Sequence, residues 1–400
     1  MIAKCRNLAM LRKSLATLPQ TLDQTYDRIL TAISEDDRVY AMRILQWLTF
    51  SARPLSVGEI AEVVALDIRR EPIFDRDEVL VDPLEVLNIC ASLVTITNDE
   101  GKEGSGCGSR IITLAHYSVQ EYLVSDRIQK GPAKEYSMQK LECHKTIAKG
   151  CLGYLNQFQE PISTRLLGLS TLAQYSARFW SDHLEEAGED EEELSQLAMR
   201  LLSTENPAYA NWIRIYGPDN TCIDTHIRTA DRGSDSYGIS MPLYYVAMLG
   251  LSKIAKLLID QGAQVNAQNG RSGSALHAAS FWGHKPVVEL LITAGADINA
   301  ICGSIGSALQ GASVCGHDAI VQLLLDAGAD ANAIDGSAGS ALQIASARGH
   351  NKIASTLLNA HKVLVTQLIN SEYQSRLKRC GPADTTKTTN AKWIQYWNIR

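Results

Sequence analysis

A fixed repeat of thirty-three residues in the second half of the chain limits its fold more than any other feature. Leucines, glycines and asparagines each recur at this interval. The aligned residues are Leu243, Leu276, Leu309 and Leu342; Gly250, Gly283, Gly316 and Gly349; and Asn266, Asn299 and Asn332. One short unit cannot bury its own apolar face, so this period predicts a stack of similar units.

The second copy shows the pattern most completely. It runs from Ser274 to Ala300 and reads SALHAASFWGHKPVVELLITAGADINA. This resembles the ankyrin pattern T-P-L-H-x-A-A-x-x-G-H, followed by V-V-x-L-L and G-A-D-x-N. The alanines predict a first helix that approaches its neighbour closely, and Gly283 is suited to end it in the left-handed conformation. The valines and leucines predict an apolar stripe on a second helix.

This resemblance implies a mainly α protein with an α-solenoid of about four ankyrin repeats over residues 238–361. The repeats are bounded at about 238–267, 271–300, 304–333 and 337–361. The first copy has Leu251 where the pattern has histidine, and the fourth ends at Ala360 without the Gly-Ala-Asp run. Atypical end copies are typical of capping repeats.

Composition argues against several classes of protein. The 400 residues are 45% hydrophobic, which predicts two or three domains with packed cores. A net charge of -6 argues against a nucleic-acid binder. The 9 cysteines, without a Cys-x-x-Cys pair, favour reduced thiols over a zinc or disulfide framework. Charges interrupt every long apolar run, so we expect no membrane partner and a cytoplasmic location, with the nucleus left open.

Residues 20–130 are predicted to form a winged-helix domain, in which helices precede a β-hairpin. Capping signals at Ser56 and Asp82, and apolar residues at helical spacing, mark the helices. Alternating β-branched residues mark the strands on either side of a glycine-rich loop. The predicted elements are helices at 20–34, 36–51, 56–65 and 82–91, strands at 93–97 and 110–114, and a helix from Tyr117.

The other segments are assigned by pattern and composition. They are an N-terminal helical segment at 1–19, a helical domain at 131–217, a polar linker at 218–237, and a C-terminal helix and tail at 362–400. The helical domain contains an acidic run at 185–193. This run reads as a solvated loop between helices or as an acidic docking patch.

Several runs in the first half resemble one family. LPQTLDQTYDRIL, RILQWLTFSARPLSVGEIAEVVA, DPLEVLNICASLVTI and LAHYSVQEYL follow in the order seen after the nucleotide-binding module of fungal NACHT-ankyrin proteins, which are NLR-like (STAND) receptors. The resemblance covers about residues 5–217, and the ankyrin array completes the usual order. The chain therefore resembles the C-terminal, sensing and transducing part of such a receptor.

The phosphate loop of that family has no counterpart here. The sequence contains no G-x-x-x-x-G-K-[ST], the motif in which glycine amides and a lysine hold phosphates. It also shows no Ser-His-Asp cue, nucleophile elbow or paired carboxylates on a recognisable frame. We expect no catalytic residues, no enzyme activity, no cofactor and no metal, and a NACHT-type ATPase on a separate chain or upstream is a second expected partner.

His116 is the one candidate for nucleotide contact. In receptors of this class the histidine of a similar H-x-S-x-Q-E-[YF] run touches bound ADP, which holds the closed state. The resemblance implies that role for His116 only with a partner ATPase, and a structural role is the alternative.

A DNA-reading role for the winged helix is disfavoured. The helix from Asp82 to Ala91 offers Asp82, Glu85 and Asn88 among apolar residues and no cation, so phosphates would be repelled.

The recurring histidines His277, His284, His317 and His350 fit the ankyrin pattern, in which they tie loops by hydrogen bonds.

The concave face of the ankyrin array is the predicted protein-binding surface. The candidate residues are Gln268, Arg271, Phe281, Trp282, Val314 and Arg348. Exposed tryptophan and arginine are favoured interface anchors, although Trp282 also fits between packed helices. The function expected is a non-enzymatic protein-interaction and regulatory module. The alternatives are a part of an ATP-dependent signalling assembly and a DNA-binding regulator.

Overall fold

The computed structural model describes residues 21–98, 110–188, 191–218, 241–268, 273–302, 306–335 and 339–362. The chain divides into two compact units, Met1–Ala263 and Gln264–Arg400. The predicted N-terminal segment and most of the linker and C-terminal tail lie outside the described residues. The fold is mainly helical, as the sequence predicts.

The winged-helix domain has the predicted helices and hairpin in the predicted order, with one further strand. It comprises α1 (Leu22–Thr31), α2 (Glu35–Phe50), β1 (Leu55–Ser56), α3 (Val57–Val63), α4 (Val86–Cys90), β2 (Val94–Asn98) and β3 (Arg110–Leu114). The predicted capping box before α3 is confirmed: the Ser56 side chain accepts from the Glu59 amide, and Glu59 accepts from the Ser56 amide. At Asp82 the prediction was incomplete, because Pro83–Glu85 forms a 3-10 turn before α4 and Glu85 accepts from Asn88 instead.

The sheet has three strands in the order β1-β3-β2, all antiparallel neighbours. The hairpin of β2 and β3 was predicted, whereas β1 was missed because two residues show no alternation. Ile112 of β3 lies opposite both Leu55 and Ile96 and is fully buried. Strand β3 lies between β1 and β2 and contributes Ile112 to the core.

A helical region completes the first unit. It comprises α5 (Tyr117–Leu123), α6 (Asp126–Gln129), α7 (Lys140–Asn156), α8 (Thr164–Leu169), α9 (Ala173–Ala187), α10 (Glu192–Leu201) and α11 (Pro207–Tyr216). Buried Trp180 and Trp212 meet edge to face, with ring centroids 5.9 Å apart. Glu62 of α3 is also buried and accepts from the Tyr154 hydroxyl of α7 at 2.7 Å. This bond ties the winged helix to the helical region.

The first ankyrin repeat belongs to the first unit. Its helices are α12 (Pro242–Leu249) and α13 (Ser252–Asp260). The ring of Tyr245 packs edge-on against Trp212, with centroids 5.6 Å apart, and α13 packs against α10. The helical region therefore covers one side of this repeat, which gives a physical reason for its atypical aromatic residues.

The second unit contains the other repeats. They are α14 (Ala275–Trp282) with α15 (Lys285–Thr293), α16 (Ala308–Cys315) with α17 (Asp318–Asp326), and α18 (Ala341–Ala347) with α19 (residues 351–362). A short hairpin of β4 (Ile334–Asp335) and β5 (Gly339–Ser340) precedes α18. Gly283 and Gly316 end their helices at φ of 89° and 82°, the left-handed conformation that glycine adopts without steric cost.

Asparagine side chains join successive repeats. The Asn266 side chain accepts from the Asp297 amide at 2.8 Å and donates to the Gly295 carbonyl at 3.2 Å. Asn299 repeats both bonds one copy later, with Asp330 and Gly328. The fixed asparagine spacing in the sequence thus records a bond between neighbouring loops.

Candidate functional site

In the second unit, the C-terminal ends of the first helices expose a side chain at the same repeat position. These side chains, here called the first-helix row, are Trp282, Cys315 and Arg348. Trp282 is 39% exposed and lies edge-on to Phe281, with ring centroids 5.9 Å apart. The row therefore offers an aromatic surface, a thiol and a cation to solvent.

Histidines hold these helix ends in place. The Nε2 of His317 donates to the Phe281 carbonyl at 3.0 Å, and that of His350 donates to the Val314 carbonyl at 3.2 Å. Each ring lies against the glycine that ends a first helix, so there is no room for a side chain there. The histidines therefore tie neighbouring repeats, as expected from the ankyrin pattern, and keep the row rigid.

The loops between repeats expose a second set of side chains. Gln268 and Ile301 occupy the same repeat position and are both exposed. The asparagine bonds described above lie two residues before each of them and fix the loop backbone. The exposed side chains of Gln268 and Ile301 therefore project from an ordered loop backbone.

The predicted binding residues have different environments. Three of them are exposed: Gln268, Trp282 and Arg348. Phe281 and Val314 are half-buried, and their backbone carbonyls accept from the histidines. Arg271 lies outside the described residues. The sequence reading missed Cys315 and Ile301, although adding thirty-three residues to Trp282 and Gln268 would have found both.

Charge at the row is weak and positive. Burial raises the pKa of the Cys315 thiol, and the positive charge of Arg348 opposes that shift. The thiol is therefore mostly protonated at neutral pH, which makes it a poor nucleophile. The row has the character of a contact surface.

The histidine of the T-P-L-H pattern has a structural environment. His277 is buried, accepts from the Ser274 hydroxyl at 2.8 Å and donates to the Ala300 carbonyl at 2.9 Å. Burial lowers its pKa, so the ring stays neutral. Gln310 and Gln343 occupy the same repeat position, but their side-chain oxygens accept from the backbone amides of Ser307 and Ser340, at 2.7 Å and 2.9 Å.

His116 lies at the start of α5, directly after the hairpin of the winged-helix domain. Its Nδ1 accepts from the Ser118 amide at 3.2 Å, so the proton of a neutral ring is on Nε2. The Ser118 hydroxyl lies 2.6 Å from the same nitrogen and 2.7 Å from the Tyr26 hydroxyl. His116 thus caps a helix, and the residue is exposed.

Three carboxylates of the acidic run pair with lysines of α7. Glu186 contacts Lys140 at 2.6 Å, and Glu191 contacts Lys145 at 2.5 Å. Glu193 pairs with Lys149. These ion pairs lie at the surface, since the three carboxylates are 42–64% exposed, which agrees with a solvated segment between α9 and α10; the acidic docking patch stays a prediction.

The described part of the chain contains no group of three or more His, Cys, Asp or Glu side chains placed to hold a metal ion. Within those same residues, no helix combines the length and apolar character needed to cross a bilayer.

Comparison with known families matches both architectures. Residues 26–139 match the family described as "GPI inositol-deacylase, winged helix domain". Residues 215–302 match "Ankyrin repeats (3 copies)", and residues 307–336 match "Ankyrin repeat". This chain combines a winged-helix domain with ankyrin repeats. Repeats of this kind bind proteins through a rigid extended surface, so the chain carries a protein-binding module.

One curated relative is similar over most of the chain. It is the "Azaphilone pigments biosynthesis cluster protein L" of Monascus ruber, 37% identical over 291 residues. The alignment covers 70% of this chain and 60% of the relative. The chain therefore spans about three fifths of that protein's length.

Proposed function

We propose that this chain is a non-enzymatic interaction and regulatory module that binds a protein partner through the first-helix row and the loop tips beside it. The observation that carries the proposal is Trp282, a large aromatic side chain exposed at the end of α14. Tryptophan and arginine dominate the binding energy of many interfaces. Arg348 occupies the same repeat position two copies later.

The support beneath the row favours binding over catalysis. Histidine and asparagine bonds fix the helix ends and loops. Little conformational entropy is therefore lost when a partner docks. The rival expectation, packing of Trp282 between helices, would leave its ring buried. Its exposure supports a role in contact.

The test is quantitative pull-down with the full chain carrying Trp282→Ala and Arg348→Ala. We expect recovery of the partner to fall at least about tenfold, because an interface anchor is removed, while thermal unfolding stays close to wild type. The matched control is Leu358→Ala with Lys352→Ala, an exposed apolar residue and a cation on α19. Equal recovery from both double variants would contradict the proposal.

The sequence resemblance supports a finer form of this proposal. In that form the chain corresponds to the sensing and transducing part of a NACHT-ankyrin receptor and acts in the cytoplasm. In that form the Nε2 of His116, an exposed residue whose Nδ1 is occupied by the Ser118 amide, would donate to ADP held by a partner ATPase.

The test of that form has two parts. We expect the purified chain to show no ATP turnover, and an in-frame phosphate loop upstream of Met1 would make the ATPase part of the same protein. ATP hydrolysis by the chain alone would overturn the non-enzymatic proposal.

The relative supports a setting for the module. Its name assigns it to an azaphilone pigment biosynthesis cluster. We propose that the partner of this chain belongs to a comparable biosynthetic cluster. Deletion of the gene would then alter a pigment or related product, and an unchanged metabolite profile would argue for a different setting.

A further inference from the structure

The winged-helix domain exposes a row of aliphatic side chains along residues 81–91. These side chains, here called the acidic-rimmed ridge, are Val81, Leu84, Leu87 and Ala91. The first three have relative exposures of 103%, 37% and 36%. The opposite side of α4 is buried in the core through Val86, Ile89 and Cys90.

Local bonds hold the ridge in one conformation. The Asp82 carboxylate accepts from the Leu84 amide at 2.9 Å, and Pro83 starts the turn. Asn88 donates to Glu85 at 2.8 Å on the next turn. Leu84 lies in the 3-10 turn that Pro83 starts and Leu87 in α4, which follows it directly. The two leucines are three residues apart, so they lie on the same side of the continuous helical segment. A partner would meet a surface that is already ordered.

Charge around the ridge is negative. From residue 77 to residue 98 the sequence has four carboxylates and no lysine or arginine; Glu78 pairs with Arg70, and the others are Asp77, Asp82 and Glu85. Asp37 of α2, which packs against α4, adds a negative charge near Cys90. Asp82 and Glu85 are exposed beside the leucines. This surface repels phosphate and attracts cations.

The clustering distinguishes the ridge from ordinary exposed side chains. Single exposed apolar residues are common and need no explanation, whereas a cluster with a polar rim marks interaction sites. Leu141 on α7 is exposed to a similar degree, but it stands beside Lys140 and its partner Glu186. Leu141 therefore serves as a matched control.

We propose that the acidic-rimmed ridge is a second docking surface, whose partner is a protein segment with aliphatic side chains flanked by lysine or arginine. The aliphatic residues of the segment would cover Leu84, Leu87 and Val81, and its cations would meet Asp82 and Glu85. The ridge is separate in sequence and chemistry from the first-helix row, so the chain would link two different partners.

The test uses the full chain and a fluorescent amphipathic peptide made of leucine and lysine. We expect this peptide to bind and a matched leucine–glutamate peptide not to bind. Val81→Ser with Leu87→Ser should raise the dissociation constant at least about tenfold, since apolar burial is lost. Asp82→Asn with Glu85→Gln should weaken binding at low salt and flatten its salt dependence.

Control measurements separate the ridge from general stickiness. Leu141→Ser should bind the leucine–lysine peptide like the wild type. An equal loss in Leu141→Ser, or equal binding of the leucine–glutamate peptide, would overturn the proposal. A ridge variant that changes the sedimentation coefficient would show that a second copy of the chain covers the ridge.

Discussion

The contacts within the winged-helix and helical body differ in kind from the contacts within the ankyrin repeats of the second unit. In the first unit, Glu62 bonds to Tyr154 and to the Leu172 amide, and His183 bonds to His144; each of these contacts occurs once. In the second unit, the Asn299 and His350 bonds repeat those of Asn266 and His317. Loss of one contact should therefore destabilise much of the first unit, but only the neighbouring repeats in the second.

The largest expected effect is at Glu62. Its carboxylate is buried and accepts from the Tyr154 hydroxyl at 2.7 Å and the Leu172 amide at 2.8 Å. Glu62→Ala leaves two buried donors unpaired at about 2 kcal/mol each, so we expect a loss of about 4 kcal/mol in the free energy of unfolding. Hydrogen exchange should speed up throughout α3, α7 and α9.

Glu71→Ala is the control for this loss. Glu71 is exposed and pairs with Arg200 at 3.1 Å. Surface ion pairs contribute about 0 to 1 kcal/mol, so this variant should stay near wild type. Similar exchange rates in the two variants would contradict a special role for the buried carboxylate.

A pH effect of slightly smaller size is expected from the buried histidine pair. His144 and His183 face each other through their Nδ1 atoms at 2.9 Å, and the Tyr175 hydroxyl lies 2.7 Å from the His183 Nε2. The Ala52 amide donates to that hydroxyl, which leaves it free to donate to His183. A proton added to the pair would force two N–H groups together.

Burial lowers the pKa of His183 from 6.5 to about 4, and the neighbouring His144 adds to the shift. Burial also lowers the pKa of His144. The folded state then binds fewer protons than the unfolded state below pH 6.5. Stability of the first unit is complete above that pH and is lost as pH falls toward 4, by about 3 kcal/mol at about 1.4 kcal/mol per pH unit.

Denaturant unfolding of the first unit across this pH range measures the loss. His183→Gln should flatten the dependence, because the titrating group is gone. His361→Gln, an exposed histidine in the second unit, should leave it unchanged. An unchanged slope in His183→Gln would assign the pH dependence to carboxylates.

The smallest of the three effects compares two glycines of the repeats. Gly316 and Gly349 have φ of 82° and 78°. A Cβ at Gly316 would lie 2.7 Å from the His350 ring, whereas one at Gly349 would meet nothing within 4 Å. Gly349→Ala should cost about 1 kcal/mol from backbone strain. Gly316→Ala should cost about 2 kcal/mol, because the His350 bond is also lost.

Local hydrogen exchange checks this comparison. In Gly316→Ala we expect faster exchange in α16 and α18 and unchanged exchange in the first unit. Equal effects of the two alanines would mean that the histidine contributes little. Exchange that rises in both units would contradict the view that repeat contacts act locally.

The predictable part of this protein is the part that depends on local pattern. The period of thirty-three residues predicted the second-unit helices, and the Ser56 to Glu59 capping box predicted the start of α3. Periodicity works here because each repeat makes the same contacts, so each position has one environment. The two-residue strand β1 was missed, since its pairing with β3 is set by distant residues.

The candidate surface was predictable in part for the same reason. Trp282 and Arg348 were identified as anchors by residue type and repeat position, whereas Cys315 and Ile301 were overlooked. The pairing of Glu186 and Glu191 with lysines of α7 could not be read from an acidic run, because it requires two helices to meet.

The sequence by itself determined the mainly helical class, the ankyrin repeats and the order of elements in the winged helix. These follow from local preferences and from a repeated apolar pattern. Only the tertiary structure decided that the first repeat packs against Trp212, that Glu62 joins two domains, and that Leu84 and Leu87 remain exposed. Burial and pairing of a side chain depend on residues far away in the chain, which no local pattern contains.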